Sequence, residues 1–122
     1  MDRLFFALGA LLGGLGVVLG AFGAHVLKQR IGPALLAVFE TGARYHLIHA
    51  LALLVTALAL GQRNIWPFRL AGWLFAAGVL LFSGSLYALA LSGVKGFGAV
   101  TPLGGIAFIS GWALLAWGAW RR

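Results

Sequence analysis

His46 and His49 stand three residues apart, so a helix carries both imidazoles on one face. His25 lies upstream where an apolar run ends, and Glu40 is one of two acids in the chain, the other being Asp2. Two histidines with a third nearby are a ligand set for zinc, copper or iron, to which a carboxylate adds an oxygen. Haem suits the pair poorly, because bis-imidazole ligation needs ligands on opposite faces of the ring. The same side chains can handle protons, or can simply bond carbonyls and hydroxyls inside a packed structure. Glu40 precedes Arg44 by four residues, the favourable order for a helical ion pair. A carboxylate near lipid must be paired or protonated, so Glu40 is read either as half of a structural pair or as a proton- or cation-coupled group. Tyr45, Ser83, Ser85, Tyr87 and Thr101 complete the polar candidates. No serine has a glycine-framed nucleophile elbow with an acid partner. A phosphate loop and a dinucleotide fingerprint are also missing, and the absence of cysteine excludes disulfides, iron–sulfur clusters and thiolate zinc sites. No enzymatic motif and no cofactor follow from these residues.

The elements that position these groups must be membrane helices. Of 122 residues, 62% are hydrophobic and 9% charged, and the mean hydropathy is +1.02. A soluble domain carries about 45–50% apolar and about 25% charged residues, so eleven charged side chains could not cover one. Four apolar runs, at about 4–24, 45–60, 68–91 and 101–120, each approach the ~20 residues that span a ~30 Å hydrocarbon core. The first exceeds the ~7–15 residues of a signal-peptide core and is read as a retained span. Between the first two runs, Gly32-Pro33 opens an apolar segment with one acid and one base. The expectation is a short interfacial helix over 33–43, bent near Gly42 and leading into the second span. The predicted fold is therefore an all-α integral membrane protein. It is a single domain over 1–122, a four-transmembrane-helix bundle with that interfacial helix between spans 1 and 2.

Antiparallel spans gather the polar candidates into one half. His25, Glu40, Arg44, Tyr45, His46, His49, Ser83, Ser85, Tyr87 and Thr101 all fall in the leaflet opposite the termini, and this polar half is where a ligand or proton site would lie. The terminal side carries Arg3, Arg63, Arg69, Arg121 and Arg122, against Lys28, Arg30, Arg44 and Lys95 on the other. The positive-inside rule then leans toward both termini in the cytoplasm. Trp66, Trp117 and Trp120 share the terminal side and form one interfacial belt. The net charge of +7 is scattered singly between apolar runs, which suits lipid headgroups rather than nucleic acid.

Glycine sets the packing. Gly9, Gly13, Gly16, Gly20 and Gly23 recur at steps of four and three in the first span. Helices in lipid gain from close backbone approach, which small residues allow, so this face predicts tight contact within the bundle or with a second copy. Gly104, Gly111 and Gly118 repeat every seven residues and are expected to supply the complementary face.

At these residues the chain resembles a known family, the small four-span YgdD-like membrane proteins (domain of unknown function 423), with an animal branch called transmembrane protein 256. The matching pieces are GAFGAH (Gly20 to His25) with Lys28, FETGARYHLIHALALL (Phe39 to Leu54), LFSGSLYALAL (Leu81 to Leu91), and TPLGG (Thr101 to Gly105) with Gly111-Trp112. The resemblance implies a bacterial inner- or plasma-membrane protein with four spans, and no particular reaction, substrate or cofactor. Where the family often has glutamine after the tyrosine, this chain has His46. That departure argues against His46 as an essential metal ligand and leaves His25 and His49 as the stronger candidates.

Three functions compete. The leading one is a packing, scaffold or membrane-integrity factor that associates with lipid, with itself as a homo-oligomer, or with a larger membrane complex. The second is a small proton- or ion-coupled transporter using Glu40 and the histidines. Small multidrug carriers, however, place an acid in their first span, which here is wholly apolar. The third is a metal- or haem-binding accessory protein.

Overall fold

Prolines open three of the helices, at positions where a missing amide hydrogen costs nothing. The structure, a computed structural model, describes residues 1–121; Arg122, counted above with the terminal arginines, lies outside the described residues. Helix α1 is Asp2–His25, followed by a 3₁₀ turn at Leu27–Gln29. Helix α2 is Pro33–Gln62, with Pro33 in its first turn. Helix α3 is Trp66–Gly78, again with proline in its first turn. It continues through a π-helical segment, Val79–Ser83, into α4, Gly84–Ser92. Gly93 then ends α4 with φ of 72°, the left-handed cap that glycine adopts without strain. A 3₁₀ segment, Lys95–Ala99, precedes α5, Thr101–Trp120. The four spans, Asp2–Gln29, Pro33–Gln62, Trp66–Ser92 and Lys95–Trp120, are each long and apolar enough to cross a membrane.

Helix α2 runs without interruption for 30 residues, about 45 Å at ~1.5 Å per residue. The expected interfacial helix over 33–43 is therefore not a separate element. It is the first three turns of α2, the length in excess of a ~30 Å core. The helix continues unbroken through Gly42. The bare backbone of this glycine instead admits a neighbour, since a Cβ there would meet Leu86 at 3.2 Å and the Tyr87 ring at 3.1 Å. The expected Glu40–Arg44 ion pair is likewise absent: among the described residues, the single charged contact within 4.0 Å joins the Met1 amine to Asp2. Glu40 and Arg44 both lie on the exposed face of α2, each free to extend away from the bundle.

The bundle is two helical hairpins, α1 with α2 and the third span with α5, joined through α2. Helix α1 packs on α2, while α5 packs on α3 and the π segment; α2 then touches α3, the π segment and α4. Half of the apolar stretch of α2 is buried, against 17% for the first span, so α2 is the axis of the molecule. The main core joins Phe5, Leu53, Phe68, Phe75 and Phe108 with small alanines. A second cluster of Leu27, Phe39 and Ala90 closes the opposite end.

Phenylalanine on glycine is the recurring contact. Cβ atoms built on Gly118, Gly111 and Gly104 would strike Phe68, Phe75 and Phe82 respectively. Three phenylalanines seven residues apart thus meet three glycines seven apart, running the other way. Gly78 receives Phe108, Gly72 receives Phe5 and Gly23 receives Phe39 by the same test. This corrects two expectations. The glycines of α5 do not complement those of α1; they hold α5 against the third span. The face of α1 is also narrower than expected. Gly9, Gly16 and Gly23 meet Leu54, Leu47 and Phe39, whereas Gly13 only touches Ala50 at 4.0 Å and Gly20 has nothing within 4 Å. Gly13 and Gly20 follow Gly9 and Gly16 by four residues, which turns them about 40° round the helix.

These contacts separate glycines that a motif would treat alike. Gly104→Ala places its methyl against the Phe82 backbone and is expected to cost about 1–3 kcal/mol by overpacking. Gly20→Leu is expected to leave stability unchanged. Thermal unfolding of the two variants in detergent, followed by size-exclusion recovery, checks the pair; an equal loss in both would refute the assignment.

Candidate functional site

The buried polar side chains of α2, His46, His49 and Thr56, each bond across a helix boundary or back to their own helix. His46 is buried, and its Nε2 lies 2.7 Å from the Leu12 carbonyl oxygen of α1. A carbonyl only accepts, so Nε2 carries the hydrogen. The lone pair on Nδ1 then accepts from the Tyr87 hydroxyl of α4 at 2.9 Å. One imidazole thereby ties α1, α2 and α4 together. It reaches the α1 backbone because Gly16 has no side chain: a Cβ there would stand 3.2 Å from His46 Cδ2.

His49 has the opposite tautomer. Its Nδ1 donates to the Tyr45 carbonyl at 2.7 Å, and its Nε2 accepts from the Trp112 indole of α5 at 3.0 Å. The ring stacks on Phe108 with centroids 3.5 Å apart and planes 8° apart, and Tyr45 stacks nearly parallel to it at 6.2 Å. Ser83, fully buried, donates to the Gly42 carbonyl at 2.7 Å and joins the π segment to α2. Ser85 and Thr101 share a hydrogen bond of 2.6 Å that joins α4 to the start of α5. Buried Thr56 donates to Ala52 within α2. Among the described residues no buried side-chain nitrogen or oxygen lacks a partner.

The geometry brings together most, but not all, of the expected cluster. His46 with Tyr87, His49 with Tyr45, Ser83, and Ser85 with Thr101 form one band of cross-links. His25, Glu40 and Arg44 stand outside it. His25 is exposed and donates through Nδ1 to Ala21 of its own helix at 2.9 Å. Among the described residues no three His, Asp or Glu side chains converge on a metal-sized site. His25 and His49, the stronger ligand candidates of the sequence, lie in separate environments. Chemically, both buried imidazoles have each ring nitrogen engaged, one as donor and one as acceptor. Neither offers a free lone pair to a metal or a substrate proton without first breaking a bond between helices.

Two participants were not anticipated. Trp112 lies in a motif of the sequence but carried no polar assignment. Arg63, expected only as a topology charge, donates from Nη1 to the Gly118 carbonyl at 3.2 Å and from Nη2 to the Arg121 carbonyl at 3.1 Å. It caps the end of α5, where carbonyls are left unpaired and a cation is favoured. Its signal was available: a lone arginine in a short turn, beside the terminus of another span.

A family model described as "Protein of unknown function (DUF423)" matches residues 19–105. The chain is 48% identical over 114 residues to the UPF0382 membrane protein YwdK of Bacillus subtilis, covering 93% of each chain. It is 44% identical over 121 residues to the UPF0382 inner membrane protein YgdD of Escherichia coli K12, covering 98% of this chain and 92% of that one. A Staphylococcus aureus UPF0382 membrane protein is 45% identical over 113 residues, covering 93% of this chain and 92% of the relative. No solved structure matches.

If the imidazole of His46 is a structural cross-link, its loss must be coupled to that of Tyr87. Tyr87→Phe is expected to cost about 0.6–1.7 kcal/mol, the range of interhelical side-chain bonds in membranes. His46→Ala is expected to cost more, because it also frees the Leu12 carbonyl. His46→Gln, which keeps a donor and an acceptor, is expected to recover much of the loss. A double-mutant cycle of His46→Ala with Tyr87→Phe, read by unfolding in detergent, checks this; strict additivity would rule out the bond.

Proposed function

This chain belongs to the DUF423 family of membrane proteins, and from that premise we propose that it acts as a compact, non-enzymatic packing unit of the bacterial inner or plasma membrane. In that role it associates with lipid, with further copies of itself or with a larger membrane complex. The observation that carries this reading is the completeness of its internal bonding, in which every buried polar side chain among the described residues is already paired. Such an interior serves to hold helices in one arrangement. A carrier needs polar groups that exchange partners between two states, and a coupling acid inside the bundle. Here Glu40 lies on an exposed face, away from the bonded imidazoles. The orientation with both termini in the cytoplasm is part of the same proposal, supported by the five arginines on the terminal side against four basic residues opposite.

Native mass spectrometry of gently extracted protein, paired with proton-flux measurements in proteoliposomes, tests the reading. A discrete assembly with retained lipid, and a flux no greater than in empty vesicles, is the expected result. Proton-dependent flux abolished by Glu40→Gln would replace it with the carrier reading.

A further inference from the structure

A groove of about 220 Å³ lies on the surface between the first turn of α1 and the last turns of α2. It is smaller than the about 300–1,000 Å³ of sites for drug-sized ligands. Asp2 and Arg3 stand at one end, and Phe6, Ala57 and Leu58 line the rest. Gly61 completes the wall, and its missing side chain keeps the mouth open: a Cβ there would sit 3.6 Å from an Asp2 carboxylate oxygen. The groove therefore grades from a carboxylate and a guanidinium into hydrocarbon within about one helical turn.

That gradient follows the membrane. Trp66 and Trp117, with ring centroids 5.4 Å apart, and Arg121, over the Trp117 ring at 5.0 Å, belong to the same end of the bundle. Aromatic rings with arginines beside them mark the headgroup level. Asp2 and Arg3 stand at that end of α1, and Phe6 lies about one turn further along the span. Among the described residues no ion pair or side-chain hydrogen bond uses Arg3, and the one ion pair of Asp2 joins a single carboxylate oxygen to the Met1 amine at the 4.0 Å limit, while its other oxygen lies beside Gly61. An acid and a base side by side at headgroup depth complement a ligand that carries both signs. A phospholipid with a primary ammonium and a phosphate has both, and its glycerol and acyl carbons continue along the apolar wall.

We propose that this groove binds the headgroup of a zwitterionic aminophospholipid, with phosphatidylethanolamine as its simplest form. The ammonium meets Asp2, the phosphate meets Arg3, and the proximal acyl chain lies along Phe6 and Leu58. The inference rests on the reading of the protein as a lipid-associated packing unit, but it uses none of the residues of the histidine network. It also accounts for Gly61, which no helix contact requires.

The test uses the full chain in nanodiscs containing equal parts phosphatidylethanolamine, phosphatidylglycerol and phosphatidylcholine, with lipids retained on release counted by native mass spectrometry. The wild type is expected to retain phosphatidylethanolamine about two- to fivefold over the other two, the range that exposed charge pairs supply. Asp2→Asn removes the preference over phosphatidylglycerol, and Arg3→Gln lowers retention of all three. Because Arg3 also bears on membrane orientation, Gly61→Leu provides a second route: it fills the groove with both charges in place and abolishes the preference. Gly14→Leu, at an exposed position with nothing within 4 Å, leaves it intact. Equal retention of the three lipids by the wild type, or a preference that survives both Asp2→Asn and Gly61→Leu, overturns the groove assignment while leaving the packing-unit reading standing. Proton-coupled flux would instead overturn that reading.

Discussion

A helix that leaves lipid for another helix gains no hydrophobic free energy, because acyl chains are as apolar as leucine. Association must come from dispersion at close range and from polar groups that have no better partner. Both requirements meet where side chains are missing. The five glycines under Phe5, Phe39, Phe68, Phe75 and Phe108 let aromatic rings lie directly on backbone, and Gly104 lets the backbone of Phe82 itself come close, so that many atoms come within contact distance at once. Gly16 does the same for His46, opening the Leu12 carbonyl to an imidazole on the next helix. Remove the glycines and the rings and hydrogen bonds both lose their seats.

Helix α2 draws these contacts together. Its buried stripe runs from Phe39 through Gly42, His46, His49 and Leu53 to Thr56 and Leu60, so one face meets α1, the third span and α5. His46, His49 and the Gly42 carbonyl lie in the first half of that stripe and bond outward to Leu12, Tyr87, Trp112 and Ser83, whereas Thr56 bonds to Ala52 of its own helix. A buried polar group left unpaired in hydrocarbon is costly. The wrong helix arrangement would leave several unpaired together, which makes these bonds as much a device for choosing one packing as for stabilising it. The two histidines illustrate this, since their opposite tautomers are each dictated by a neighbour that can only accept or only donate.

The four spans were legible because composition and run length speak directly to the bilayer. Antiparallel order also groups His46, His49, Ser83, Ser85, Tyr87 and Thr101 at one level of the bundle, where they bond across helices, although His25, Glu40 and Arg44 from the same expected cluster stand apart. What stayed hidden depended on rotation about each helix axis. Nothing in the spacing of Gly9, Gly13, Gly16, Gly20 and Gly23 says that the stripe through Gly13 and Gly20 faces away from α2. The antiparallel match of Phe68, Phe75 and Phe82 to Gly118, Gly111 and Gly104 is visible once the pairing of helices is known, but a heptad of glycines by itself does not name its partner. Glu40 and Arg44 show the converse error. Their spacing permits an ion pair, yet both side chains are exposed, where such pairs contribute little.

The π segment explains how the third span can serve α2 along its whole length. Phe75, Val79, Ser83 and Tyr87 are spaced by four residues, and all are turned toward the interior or α2. In an unbroken α-helix a four-residue step turns about 40° beyond a full circle, so three such steps carry Tyr87 about 120° round from Phe75. The π turn absorbs one extra residue, which removes about 100° of that drift and returns Ser83 and Tyr87 to the side of Gly42 and His46. A straight α-helix with this sequence would meet α2 through Phe75 and His49 at one level, but would aim Tyr87 away from His46 at the next. The irregular turn at Val79–Ser83 is therefore what lets the aromatic seam and the hydrogen-bonded band occupy one continuous interface.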